Sequence, residues 1–252
     1  MLSIERRRKI ISLLQEHQSV IVPELSKLFK VTEETIRRDL EKLEREGLIK
    51  RSYGGAVLSE STNVDIPLKI REITNIEGKQ AIALNVAEYI DDGETLILDS
   101  SSSALQVARQ LKPKKRLTVI TNSMRVVYEL SNSKDFNIIS TGGTLKPNSL
   151  SFIGHLAENT IKNYHVDKAI ISCKGFNKEI GITDSNEMEA EVKKAMVDAA
   201  DQVFLLIDHT KVDKASFVKF TSFDRIHYIF TDRKFSPDWE DLIHKNNINI
   251  IY

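Results

Sequence analysis

The chain has one cysteine, Cys173, in 252 residues. That excludes an internal disulfide and a cysteine-rich zinc site. No apolar run approaches the ~20 residues that a membrane span needs. The basic start Arg6-Arg7-Arg8-Lys9 is not followed by the apolar stretch of a secretory signal. No membrane partner is expected, and a cytoplasmic location is the default. His155, His165, His209, His227 and His244 show no metal-ligand spacing, so neither a metal nor another cofactor is expected. The net charge is +0, which argues against a uniformly basic nucleic-acid binder. The charge is unevenly spread, however. Residues 1–56 hold 12 Lys+Arg against 9 Asp+Glu, and the remainder holds 24 against 27. That sign is expected if only the N-terminal part meets phosphates. With 41% hydrophobic and 29% charged residues, the chain can bury a real core, and its length suits two domains.

The most informative stretch runs from Val31 to Leu43. Thr32 is placed to cap a helix, since its oxygen can accept from a free N–H of the first turn. Glu33 and Glu34 sit where the helix dipole favours negative charge. Ile36, Leu40 and Leu43 form one apolar stripe, and Thr35 and Arg38 point away from it with Arg37 at its flank. A hydroxyl and two guanidiniums near a helix start can reach phosphates and base edges in a major groove. An ordinary surface helix, its arginines paired with Glu33, Glu34 and Glu41, fits the same residues. The flanks favour the first reading. Val22–Phe29 reads as a shorter helix with Pro23 in its first turn, separated from the Thr32 cap by Lys30 and Val31 alone. This is the helix-turn-helix pattern. Gly47 ends the second helix. Leu48–Arg51 and Gly54–Val57 read as the two strands of a wing turning near Ser52-Tyr53. A first helix is expected over Ser3 to about His17, with Ile4, Ile11 and Leu14 on one face. Its cluster Arg6–Lys9 is either solvated or in contact with a nucleic-acid backbone.

Ser59-Glu60-Ser61-Thr62-Asn63 is polar and turn-rich. The organisation expected is therefore a winged helix-turn-helix domain over 1–57, a linker over 58–75 and a second domain over 76–252. From Gly78 onward helical and apolar strand signals alternate. Strands are expected at Thr95–Asp99, Leu117–Thr121, Phe136–Ser140, Lys168–Ser172, Val203–Asp208, Ile226–Thr231 and Ile248–Tyr252. Such strands between helices indicate a mostly parallel α/β sheet, doubly wound, with both faces covered. Ligands of these sheets bind outside the carboxyl ends of the strands. Those ends read Asp99-Ser100-Ser101-Ser102-Ser103, Thr121-Asn122-Ser123, Ser140-Thr141-Gly142-Gly143, Ser172-Cys173-Lys174-Gly175 and Asp208-His209-Thr210-Lys211. Hydroxyls before a helix suit an anion or serve as simple caps. Lysines just past strand ends favour the anion.

Thr35-Ile36-Arg37-Arg38-Asp39-Leu40, then Gly47-Leu48-Ile49-Lys50-Arg51 and Tyr53-Gly54-Gly55-Ala56, resemble the DeoR family of transcriptional repressors. The likeness continues through the second domain, which resembles ribose-phosphate isomerase and glucosamine-phosphate deaminase folds. The resemblance implies a regulator, not an enzyme, that binds double-stranded operator DNA and represses a sugar-metabolism operon under control of a phosphorylated sugar. Thr32, Thr35, Arg37, Arg38, Lys42, Arg51 and Tyr53 would meet DNA. Lys79, Asp99, Ser100, Ser102, Ser103, Thr121, Asn122, Gly142, Gly143, Glu191, Lys193, Asp208 and Lys211 would form the effector site, and Lys174 would add a charge where the family is usually glycine-rich. A homo-oligomer, dimer or tetramer, is expected because operators of helix-turn-helix proteins are usually repeated. The alternatives are a sugar-phosphate isomerase or deaminase with a DNA-binding head, and a repressor whose pocket is vestigial.

Overall fold

The computed structural model describes residues 2–17, 19–58 and 65–252. The polar stretch Ser59–Asn63, expected in the linker, lies outside the described residues. The chain divides into two compact units, Met1–Asn75 and Ile76–Tyr252. Among the described residues no helix is long and apolar enough to cross a membrane.

The first unit contains α1 (Ser3–His17), β1 (Ser19–Ile21), α2 (Val22–Phe29), α3 (Glu33–Arg45), β2 (Ile49–Ser52), β3 (Gly55–Leu58) and the short α4 (Leu68–Arg71). Ile10, Ile11 and Leu14 of α1, Leu25 of α2 and the Ile36, Leu40, Leu43 stripe of α3 form one buried core. Ile4 does not join that face and is half exposed, because it lies in the first turn of α1, ahead of the packed segment. The turn between α2 and α3 is built from side chain and backbone together. Lys30 adopts φ 53° at the end of α2. Ser26 Oγ donates to the Val31 carbonyl at 2.6 Å, and the Val31 N–H donates to the Ser26 carbonyl at 3.2 Å. β1 was not legible in the sequence. It pairs antiparallel with β3, giving the sheet order β1-β3-β2. Gly55 permits that approach, since a Cβ there would lie 2.1 Å from the Val20 carbonyl oxygen.

The second unit begins with α5 (Ile76–Glu88), β4 (Thr95–Leu98), α6 (Ser102–Gln110), β5 (Thr118–Thr121), α7 (Met124–Leu130) and β6 (Asn137–Ser140). There follow β7 (Thr144–Lys146), β8 (Ser151–Ile153), α8 (His155–Lys162), β9 (Val166–Ser172), β10 (Gly175–Asn177), β11 (Gly181–Asp184) and α9 (Glu187–Asp198). The chain closes with β12 (Ala200–Ile207), β13 (Val218–Thr221), β14 (Tyr228–Thr231), α10 (Pro237–Lys245) and β15 (Asn249–Ile251). The seven expected strands form one sheet in the order β15-β14-β12-β9-β4-β5-β6, and every pairing is parallel. Alternate side chains feed opposite cores. Leu96, Leu98, Ile170, Phe204 and Leu206 pack on one face with residues of α5, α6 and α7. Ile97, Ala169, Ile171, Leu205 and Ile207 pack on the other with residues of α8, α9 and α10. This is the doubly wound α/β arrangement that near-continuous apolar strands require. The chain order reverses between β4 and β9, which opens a crevice at their carboxyl ends. Two additions follow strand exits at that end: the β7–β8 hairpin after β6, and the small sheet β10-β11-β13, whose β10 and β11 follow β9.

Candidate functional site

Two sets of residues matter, one in each unit. On α3, Thr32 caps the helix as expected, with Thr35 N 3.3 Å from its Oγ1 and the two hydroxyls 2.9 Å apart. Arg37 pairs with Glu33 at 2.6 Å and Arg38 with Glu34 at 3.2 Å. The side chains of both arginines are more than half exposed, and exposed i,i+4 pairs contribute only about 0.3–0.5 kcal/mol. A DNA phosphate or guanine edge can therefore displace either carboxylate. Lys42 is exposed and has no ion-pair partner among the described residues. Arg51 on β2 donates to Glu44 from its Nε at 2.6 Å and from its backbone at 3.0 Å. Those two bonds hold the Glu44 carboxyl below its usual range, the backbone bond foremost. They also tie the wing to the end of α3. Tyr53 stands fully exposed at the wing turn.

Asp39 differs from its neighbours on α3. It is buried, with Arg6 Nε at 2.5 Å and Arg7 Nη1 at 3.3 Å. Two members of the basic cluster on α1 thus clamp α3 from behind, and Arg6 is itself buried. Of that cluster, Lys9 is exposed and Arg8 half-buried. A sequence pattern of charged residues marks a solvated face by default, so the buried pair was not apparent there.

In the second unit the strand ends converge at the point where chain order reverses. Asp99, following β4, is fully buried. Its Oδ1 accepts from Ser101 N at 2.9 Å, and its Oδ2 accepts from N of Ser172, the last residue of β9, also at 2.9 Å. Asp99 therefore bridges the two strands that flank the crevice. Lys193 of α9 reaches the same oxygen at 3.2 Å, the Ser172 carbonyl at 2.6 Å and Asp184 Oδ2 at 2.6 Å. Burial alone would drive the Lys193 ammonium toward neutrality, but Asp184 and Asp99 outweigh it and raise its pKa. Burial likewise pushes Asp184 up, and Lys193 with Lys174 brings it below its ordinary value.

Past β12, buried Asp208 accepts from Thr210 N at 3.1 Å and lies 3.2 Å from Lys211 Nζ. Burial opposes its charge, yet Lys211 and Lys79 hold the carboxyl well below the carboxylate range. Lys211 Nζ also donates to Ser172 Oγ at 3.1 Å, which donates on to the Leu206 carbonyl. Lys79 is buried on α5, and Lys174 is half-buried after β9. Lys214 joins this field and was missed in the sequence. Burial pulls its pKa down, against the attraction of Asp208. Cys173 is buried and burial pushes its thiol up to about 12, so it is not a nucleophile at neutral pH.

The hydroxyl-rich exit from β4 divides by role. Ser101, left out of the expected set, caps α6 by accepting from Ala104 N at 3.0 Å. Ser100, Ser102 and Ser103 are buried. Among the described residues the Ser103 hydroxyl has no hydrogen-bond partner, although a buried hydroxyl ordinarily has one. At the β5 exit, Thr121 is committed to structure, donating to the Leu98 carbonyl at 2.7 Å and accepting from Ser123 N at 3.0 Å. Asn122 donates to the Phe152 carbonyl at 3.0 Å, while its own Oδ1 has no partner among the described residues. Gly142 and Gly143 have φ of 64° and 112°. A Cβ on Gly143 would lie 2.7 Å from the Ile153 carbonyl oxygen, so packing against the hairpin explains that glycine without a ligand. Glu191 lies apart from the cluster. It is exposed on the outer face of α9, 3.9 Å from Lys194. The inward acid on α9 is Glu189, one helical turn before Lys193. It lies 2.8 Å from Lys146 and accepts from Ser151 Oγ at 2.9 Å. Burial pushes the Glu189 carboxyl up, and the bonds and charge of Lys146 reverse that, leaving it at about 2.

Residues 6–62 match the DeoR-like helix-turn-helix domain and residues 74–233 the DeoR C terminal sensor domain. An uncharacterized HTH-type transcriptional regulator of Bacillus subtilis, YulB, is 46% identical over 237 residues, covering 94% of this chain and 92% of its own. The HTH-type transcriptional regulator GolR of Listeria innocua is 40% identical over 234 residues, covering 93% and 92%. Among solved structures, a ribose 5-phosphate isomerase of Methanocaldococcus jannaschii overlaps 55% of each chain at 16% identity and a TM-score of 0.41.

Proposed function

The chain belongs to the DeoR family of DNA-binding transcriptional regulators, and on that premise we propose that it represses a sugar-metabolism operon under control of a phosphorylated sugar. The observation that carries the effector reading is the cationic field at the strand-reversal crevice. Lys79, Lys174, Lys211 and Lys214 surround Asp208 and Asp184 there, beside the buried Ser100–Ser103 exit with its unpartnered Ser103 hydroxyl. A phosphoryl group would take the serine loop and the α6 N-terminus, with Lys211 and Lys79 as point charges. Asp208 and Asp99 would accept from sugar hydroxyls. In this reading Lys193 does not touch the sugar: its ion pairs hold Asp99 and Asp184 in place. Thr121 and Gly143 likewise shape the site without contacting ligand.

Operator recognition rests on α3 and the wing. Arg38 and Thr35 would meet base edges, Arg37, Lys42 and Arg51 the phosphates, and Tyr53 the neighbouring backbone. The repressor acts as a homo-oligomer in the cytoplasm and catalyses no turnover of its effector. The effector changes DNA affinity only by its differential affinity for the two states of the protein. Lys211→Ala tests the reading. The variant should bind operator as the wild type does and lose its response to the phosphosugar. An unchanged response removes Lys211 from the site.

A further inference from the structure

A separate cavity of about 240 Å³ opens beyond the carboxyl ends of β12 and β14. Its apolar wall is Val212, Phe235 and Trp239. Its polar wall includes His209, Arg233 and Lys234, none of which belongs to the effector cluster. Trp239 is held rigidly, stacked on Phe176 with ring centroids 4.4 Å apart, and its Nε1 donates to Asp213 Oδ1 at 2.9 Å. That bond ties down the only acid among the lining residues. His209 is fixed by Asp232, which takes its backbone N–H and its Nδ1, each at 2.7 Å. The ring's Nε2 has no hydrogen-bond partner among the described residues, and Arg233 and Lys234 have no acid paired with them there. Arg233 and Lys234, neither with a paired acid, against the single lining acid Asp213 give the cavity a positive excess beside an apolar wall.

We propose that this cavity binds a small oxyanion-bearing metabolite, a phosphate ester or a carboxylate, independently of the effector cluster. The anionic group lies between Arg233 and Lys234, and the rest of the molecule lies against Val212 and Phe235. The turn carrying Asp208 and Lys211 on the effector side carries His209 on the cavity side.

Trp239 is the one tryptophan of the chain and lines the cavity, so its fluorescence reports the site directly. Inorganic phosphate and benzoate are titrated separately into the full-length protein at constant ionic strength, with chloride as the exchanged anion. The wild type should show a saturable change with at least one of the two probes. R233S/K234S should weaken that change roughly ten- to hundredfold, while Lys211→Ala should retain it. A change with phosphate assigns a phosphoryl ligand, and one with benzoate alone assigns a carboxylate. No saturable change with either probe overturns the proposal, as does a change that survives R233S/K234S. A change lost in Lys211→Ala also overturns it, because the signal then belongs to the effector cluster. Thermal unfolding of each variant checks that the substitutions leave the fold intact. Failure here leaves the effector reading untouched, since that reading is tested by operator release.

Discussion

Asp39→Asn should cripple the DNA-binding unit without touching a DNA contact. The substitution keeps the shape of the side chain and removes the charge that Arg6 meets at 2.5 Å and Arg7 at 3.3 Å. The side chains of Arg6 and Asp39 are 7% and 5% exposed, so solvent screens the pair little. Removing one member of a buried pair costs about 3–5 kcal/mol, because the other charge is left uncompensated. A unit of 75 residues has a total stability of roughly 4–11 kcal/mol at ~0.05–0.15 kcal/mol per residue. The loss is thus a large share of that stability, and the folded fraction of the unit should fall. The assay is native-state hydrogen exchange of the α3 amides in the full-length chain, together with operator affinity. Amides of Ile36, Leu40 and Leu43 should exchange on the order of a hundredfold faster or more, and those of the seven-stranded sheet should not change. The double substitution of Arg6→Met with Asp39→Leu should restore most of the protection, since apolar replacement of a buried pair is often neutral. An effect of Asp39→Asn below about 0.5 kcal/mol would refute the reasoning and make the pair a surface contact in energy.

Three further outcomes are expected. Arg38→Ala should weaken operator binding by about 1–3 kcal/mol with relaxed specificity at one base pair; an equal loss on all sequences, with a shallower salt dependence, would make it a phosphate contact. Glu189→Gln should be destabilising near neutral pH. The folded carboxyl sits at about 2 against an ordinary 4.5, so its contribution, on the order of 3 kcal/mol, is fully present above pH ~4.5 and fades as pH falls toward ~2. Chemical denaturation of wild type and variant across that window should show the two curves converging on the acid side, and parallel curves would contradict the assigned shift. Gly143→Ala should disturb the β7–β8 hairpin, because φ is 112° and the new Cβ meets the Ile153 carbonyl. Exchange at Phe152 and Met124, whose N–H groups bond across that junction, measures the effect.

Legibility in the sequence followed the strength of each local signal. The helix-turn-helix was readable because a Thr cap, a three-residue apolar stripe and a short turn occur at fixed offsets. The central strands were readable because residues such as Leu96-Ile97-Leu98 and Phe204-Leu205-Leu206 are apolar on both faces. The β7–β8 hairpin and the β10-β11-β13 sheet were not, since strands of three or four residues leave too short a pattern. β1 has the same limitation, because its identity depends on a partner 38 residues away at Val57. α10 carried a usable signal that went unread: Pro237 in its first turn, then Trp239, Leu242 and Ile243 on one face. At the strand ends the residue types were legible but their division of labour was not. Ser101 and Thr121 spend their hydroxyls on backbone, and Lys193 spends its ammonium on two carboxylates and a carbonyl. The i,i+4 spacing of Glu189 and Lys193 could have identified the inward acid of α9, since Glu191 falls on the opposite face.

The central claim is that a phosphorylated sugar, read by the lysine-rich crevice, controls operator binding by α3 and the wing. Fluorescence anisotropy tests it most directly, using DNA fragments from upstream of the protein's own gene at several salt concentrations, with and without a panel of sugar phosphates and their parent sugars. The account predicts specific, salt-dependent binding that one phosphosugar alters and its parent sugar does not, with the response lost in Lys211→Ala. Specific binding indifferent to every phosphosugar, or equal responses to phosphorylated and parent sugar, would contradict it.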